Sequence, residues 1–276
     1  MKTRRTKSIG VFDSGFGGLA ILKEVVKQLP EYNYVYLGDN ARAPYGARSM
    51  EVVYEFTKQA VDFLFAQGCD LVVLACNTAS AEALRKIQQD YLPKKYGSHK
   101  RVLGVIVPAI EETIVQTETK RVGVIATEGT VSSRAFSREL SKAHPGIEVF
   151  EQACPLLVPL VEAGEHRSDI ADLVLAQYLK PLLKKRIDTL VLGCTHYGHL
   201  ETKIKKIVTS DVSVISEGKI VAKKLKDYLK RHPEIEGALS RKSKLAFYST
   251  DIGERFDMLG TIFFGKPIVS KKAELR

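Results

Sequence analysis

The feature that most constrains this chain is a doubled one. "DLVVLACNT", from Asp70, and "DTLVLGCTH", from Asp188, coincide at Asp, Val, Leu and Cys, so that Cys76 and Cys194 stand at equal distances from their aspartates. Upstream, "IGVFDSG" resembles "VGVIATEG", with Asp13 set against Thr127, and the intervals from these residues to the two cysteines are nearly equal. Around these elements short apolar runs alternate with helical patterns. Runs at 8–12, 33–37, 70–75, 102–106, 121–126, 147–150, 188–193, 212–215 and 244–248 read as strands. Helical spacing predicts helices over 17–29, 50–66, 78–91, 132–142 and 168–184. Val, Ile and Leu-rich strands alternating with helices imply parallel sheets covered on both faces, an α/β fold. The repeat implies two similar halves: residues 1–104 plus 212–276 carrying Asp13 and Cys76, and residues 105–211 carrying Cys194 and His196. The seam is expected near "GVIVPAIEE".

Composition closes several alternatives. No apolar run is long enough to cross a bilayer, and the opening "MKTRRTKS" lacks the apolar core of an export signal, so the expectation is a soluble, unexported protein. Four cysteines without a CxxC pair or a Cys/His cluster argue against a disulfide framework or a structural metal. The formal charge of +10 is concentrated at Lys2 to Lys7 and along "KKLKDYLKR", residues 223–231. There Val221, Leu225, Tyr228 and Leu229 recur at helical spacing, which makes the lysines a solvated face. Such a field favours anionic substrates, and no motif for specific nucleic-acid binding accompanies it.

In open parallel sheets ligands bind beyond the carboxyl ends of the strands, and both cysteines fall there. Each precedes a small polar pair, Asn77-Thr78 or Thr195-His196, able to cap a helix whose N-terminal amides favour a thiolate. A buried cysteine is ordinarily a small hydrophobe, but that reading leaves the repeated placement unexplained. Two thiols on facing halves suit a reaction in which one removes a proton from carbon and the other returns a proton to the opposite face. By the pseudo-symmetry Asp13 would assist Cys76, and His196 would assist Cys194. The stretch "DSGFGGLA", with Gly15, Gly17 and Ala20 in the spacing of a dinucleotide fingerprint and Asp39 placed for a ribose, offers a rival, a nucleotide-dependent dehydrogenase. Asp13 weighs against it, because it would set a negative charge beside the pyrophosphate.

Taken together, "GVFDSGFGG", "YLGDNARAPYG", "VVLACNTASA", "GVIVPAI", "VGVIATEGTVSS", "ACPLLVPLVEAG" and "LVLGCTHYGHL" closely resemble the glutamate racemases of the cofactor-independent amino-acid racemase superfamily, with a continuation through "YSTDIGERF". The resemblance implies two α/β domains with an active site between them, interconverting L- and D-glutamate without cofactor or metal. It implies that Cys76 and Cys194 are the catalytic thiols, that Asp13, His196 and Glu162 assist them, and that Asp13, Ser14, Tyr45, Gly46, Asn77, Thr78, Thr195 and His196 line the substrate site. It further implies a bacterial cytoplasmic enzyme supplying D-glutamate for peptidoglycan, commonly a homodimer. An aspartate racemase of the same superfamily is the near rival, against which "PYG", "CNTA" and "CTHY" weigh. Two departures stand out: Gly198-His199 where the family commonly has Pro after "GCTHY", and "VISEG" in place of "VIDSG", which moves an acidic group from position 216 to Glu217.

Overall fold

A computed structural model of the chain describes residues 7–97, 99–251 and 254–276. Lys2, Arg4 and Arg5 of the basic opening, and Ile252-Gly253 of "YSTDIGERF", lie outside the described residues. Among the described residues ten strands form two sheets in which every pair is parallel. The first sheet contains β1 (Ser8–Asp13), β2 (Tyr34–Gly38), β3 (Cys69–Leu74), β4 (Arg101–Gly104), β9 (Leu245–Ser249) and β10 (Ser270–Lys272), in the order β10-β9-β2-β1-β3-β4. The second contains β5 (Arg121–Ala126), β6 (Glu148–Ala153), β7 (Thr189–Gly193) and β8 (Ser213–Ile215), in the order β6-β5-β7-β8.

The doubled sequence is thus a doubled topology. Strands β1 to β4 and β5 to β8 take the same spatial order, and β9 and β10 extend only the first sheet, beyond β2. This corrects the expected return near residue 212: β8 is hydrogen-bonded to β7 and completes the second sheet as β4 completes the first. The chain crosses back one strand later. The register also refines the upstream echo. Phe12 pairs with Leu74 and Ile125 with Leu192, so Asp13 corresponds to Ala126, and Thr127 follows one residue beyond. The short run 270–272, too polar to signal a strand by pattern, is held by pairing to β9.

Helices cover both sheets. In chain order the principal ones are α1 (Gly18–Gln28), α2 (Met50–Ala66), α3 (Asn77–Glu82), α4 (Ile106–Gln116), α5 (Glu128–Ser132), α6 (Ala135–Ala143), α7 (Leu157–Glu162), α8 (Asp169–Leu183), α9 (Glu201–Ile207), α10 (Glu217–Arg231) and α11 (Glu254–Phe264). The helix expected over 78–91 ends early as α3 and continues through a wider-wound turn at Ile87–Tyr91. The helix expected over 132–142 is interrupted because Arg134 adopts a left-handed conformation (φ 55°), which separates α5 from α6.

What joins the halves is α10. After leaving β8 it packs along α1, and its apolar stripe of Val221, Ala222, Leu225 and Leu229 shares one buried core with Leu19, Leu22 and Val25 of α1. Its lysines face outward, as the spacing predicts. The core containing this pair runs without a break from β1 and β3 to Leu190, Leu192 and the buried residues of α8. Two further clusters fill the outer faces, under α2 and α3 in one half and under α4 and α6 in the other. Leu225→Ala is expected to lower unfolding free energy by about 2–5 kcal/mol with an unchanged urea slope. A loss under about 0.5 kcal/mol, the range of ordinary surface substitutions, would show that the α1–α10 seam is not a cohesive core.

Candidate active site

The carboxyl ends of the two sheets face each other across a cavity of about 510 Å³. Its wall includes Ser14, Tyr45, Gly46, Cys76, Asn77 and Thr78 from the first half. Thr127, Glu162, Cys194, Thr195 and His196 line it from the second. Of the residues expected to act on or bind the substrate, Asp13 alone is absent from the wall; it is 1% exposed and lies just behind it.

The two thiols have different surroundings. Cys76 caps the N-terminus of α3, where its Sγ accepts the Ala79 N–H at 3.4 Å and lies 3.4 Å from Ser14 Oγ. Cys194 follows β7 directly, but the residues after it form a tight turn at Tyr197–Leu200 rather than the α-helix expected there. Its Sγ lies 3.9 Å from His196 Nδ1, and His196 Nε2 lies 3.1 Å from Glu162 Oε1. Glu162, the last residue of α7, therefore joins this half through the imidazole. Thr195 bridges the halves, its hydroxyl donating to Asp13 Oδ2 at 3.4 Å.

Burial outweighs the helix-terminus effect anticipated from the sequence. Desolvation, reinforced by the charge of Asp13, pushes the Cys76 thiol up to about 12 despite the hydrogen bonds of Ser14 and Ala79. Cys194 is held well above the usual thiol range, first by burial and then by Cys76, Asp13 and Glu217, against the backbone N–H of His196. Asp13 is raised as well, by burial, with His196 and the amides of Gly15 and Gly18 pulling the other way. Both thiols thus rest as neutral S–H groups beside residues able to take a proton.

The glycine-rich opening is occupied by protein. A Cβ at Gly17 would stand 2.0 Å from Thr195 Oγ1 and 2.7 Å from His196 Nδ1. The absent side chain is what lets the start of α1 meet the Cys194 loop. On the other flank, Gly46 approaches Thr127, and its carbonyl accepts the Gly129 N–H at 2.8 Å. Asp39, spaced for a ribose, is fully buried and already engaged: it accepts from Arg42 Nε at 2.7 Å, Thr250 Oγ1 at 2.8 Å and the Tyr45 hydroxyl. It clasps the segment that carries Tyr45 and Gly46 to the cavity.

Sequence reasoning gave Asp39 only the ribose contact of the rival reading, and Thr127 no role in the site. Thr127 forms a hydroxyl pair with Thr78 at 2.9 Å across the halves, and the echo had marked its position. Asp39 joins the nearby Arg42 and Tyr45 to Thr250, which is remote in sequence and leaves no local pattern. Of the two departures, His199 lies outside the cavity wall, its ring 4.4 Å from that of Phe263, with burial lowering its imidazole to about 4. Glu217 is buried against Asn77. Gly17→Ala is expected to cost about 1–3 kcal/mol by driving Thr195 from α1, measurable by urea unfolding; wild-type stability would mean that the two loops do not meet as described.

Comparison with known proteins places this geometry. The profile of the Asp/Glu/Hydantoin racemase family matches residues 9–225. The glutamate racemase of Aquifex aeolicus (strain VF5) is 41% identical over 264 residues, spanning 95% of this chain and 96% of the relative. The crystal structure of glutamate racemase from Francisella tularensis in complex with D-glutamate superposes with a TM-score of 0.86 at 34% identity, covering 98% of both chains. That of a Bacillus anthracis glutamate racemase superposes with a TM-score of 0.89 at 35% identity, covering 99% of each. The chain, with its paired parallel sheets and the cavity between their carboxyl ends, belongs to the Asp/Glu/Hydantoin racemase family.

Proposed function

We propose that the protein is a glutamate racemase that moves a proton on and off Cα with two opposed thiols, Cys76 and Cys194. The observation that carries this reading is the placement of both cysteines at equivalent strand ends of a duplicated topology, on one cavity. One thiol, as thiolate, removes the Cα proton; the other delivers its proton to the opposite face, leaving the mirror-image amino acid and the two sulfurs with exchanged protonation. No net proton is gained or lost, and the reaction needs no redox change.

The difficulty is making a thiolate where burial forbids it. On the first side Asp13, itself raised by burial, can accept the Cys76 proton. On the second, His196 can take the Cys194 proton at Nδ1 while Nε2–H donates to Glu162. The α-ammonium of the substrate adds a positive charge beside both sulfurs, which favours the anionic form. Ser14, Thr78 and Thr195 hydroxyls and the Asn77 amide supply donors and acceptors for the two carboxylates and the ammonium. Tyr45 and Gly46 close the far wall. The family reading also carries a homodimer and a cytoplasmic role supplying D-glutamate to peptidoglycan. Among the described residues no helix is long and apolar enough to cross a membrane.

When the protein is incubated with L-glutamate in deuterium oxide without added cofactor, the optical rotation of the glutamate should decay to zero. Early D-product should carry deuterium at Cα while the remaining L-substrate carries almost none, because proton removal and proton delivery use different sulfurs. Unchanged rotation together with unchanged Cα–H would reject glutamate as substrate. Cys76→Ser and Cys194→Ser should each abolish racemisation; activity surviving one of them would rule out the two-thiol scheme. Asp13→Asn and His196→Asn should each reduce kcat by about 10²–10⁴-fold, the usual weight of a proton-transfer partner. A reduction under about threefold would remove that residue from the proton path.

A further inference from the structure

One carboxyl outside the proton path, whose charge bears on Cys194, touches a residue that lines the thiol cavity. Glu217 opens α10 immediately after Ser216 and is 4% exposed. Its Oε2 accepts a 2.7 Å hydrogen bond from Asn77 Nδ2. Asn77, 2% exposed, lines the thiol cavity, whereas Glu217 lines a second cavity of about 730 Å³, bounded by α1, β8 and the segment after Cys194, which shares Cys194 and Thr195 with the first. Glu217 Oε1 and Asn77 Oδ1 are both buried and have no hydrogen-bond partner among the described residues.

An asparagine amide has a donating end and an accepting end on one rotatable plane. A neighbour that can accept selects the donating end and turns the carbonyl away from itself. Glu217 meets that requirement from outside the cavity. Its location is also mechanically apt, since it sits where the chain crosses from β8 to the helix packed on α1, so the bond ties the crossing segment to the start of α3, next to Cys76. Burial, with the Asp13 charge, pushes the Glu217 carboxyl up to about 8 against the pull of the Asn77 bond, as expected for a group held in place by few partners.

We propose that Glu217 is a positioning residue: by accepting the Asn77 Nδ2–H, it fixes which end of the Asn77 amide faces the bound amino acid. This rests on the glutamate-racemase reading above and adds to it a residue that lies off the proton path and acts through Asn77.

The test is steady-state racemisation in both directions, followed by circular dichroism, for wild type, Glu217→Gln, Glu217→Ala and Glu217→Leu, with thermal unfolding of each. Gln keeps an accepting oxygen; Ala removes it; Leu removes it while filling the space, so a cavity-weakened Ala variant does not decide the result. Loss of the acceptor should raise KM about tenfold or more for both enantiomers with kcat within about threefold, and Gln should stay within about threefold of wild type in both constants. Wild-type KM in folded Ala or Leu variants overturns the proposal, as does a Gln variant as impaired as Leu. Wild-type protein that leaves glutamate unchanged overturns the underlying reading instead, whereas active wild type with insensitive Glu217 variants overturns this proposal alone.

Discussion

Burial sets what a charge on either sulfur of this cleft would cost. Cys76 and Cys194 are 5% and 8% exposed, and burial is the largest influence on each thiol. A low-dielectric cleft makes every charge expensive unless another answers it. In the proposed two-thiol scheme, Asp13, His196 and Glu162 are the answers to that cost. Asp13 is itself desolvated, which brings its proton affinity toward that of a base instead of leaving it a fixed anion. The same exclusion of water would protect a carbanion at Cα from proton exchange with solvent, which a stereochemical outcome governed by the two sulfurs requires.

Holding two half-sites in register is the work of the backbone. The halves meet at Gly17 against Thr195 on one flank and at Gly46 against Thr127 and Gly129 on the other. Beneath them α10 fastens the second sheet to α1 through a shared apolar core. Small residues at the rim and large ones below let the strand ends approach closely while the scaffold remains densely packed.

Much of this was legible in the chain because the duplicated elements are local. Each "strand, cysteine, polar pair" unit lies within nine residues, short enough for sequence comparison to catch, and buried parallel strands advertise themselves as apolar runs. What escaped detection was decided by partners far along the chain. Strand β8 belongs to the second sheet because of β7, Asp39 is held in part by Thr250, and Glu217 is held by Asn77. The helix-terminus argument for a ready thiolate missed for another reason: propensity speaks of the local dipole, while the degree of burial is a property of the assembled halves. The glycines of "DSGFGGLA" follow the wording of a cofactor loop, yet the space they leave is taken by Thr195 and His196.

The two faces of the cleft match in topology and differ in chemistry, with a lone carboxylate behind one sulfur and an imidazole–carboxylate pair behind the other. Mirror-image amino acids have equal free energies, so a catalyst of their interconversion must show the same kcat/KM from either side, whatever groups it employs. Unequal neighbours can therefore express themselves only as matched changes in kcat and KM: the hand that is held more tightly must be turned over more slowly. The duplicated scaffold is free to diverge at its two poles, because detailed balance enforces a symmetry that its side chains do not possess.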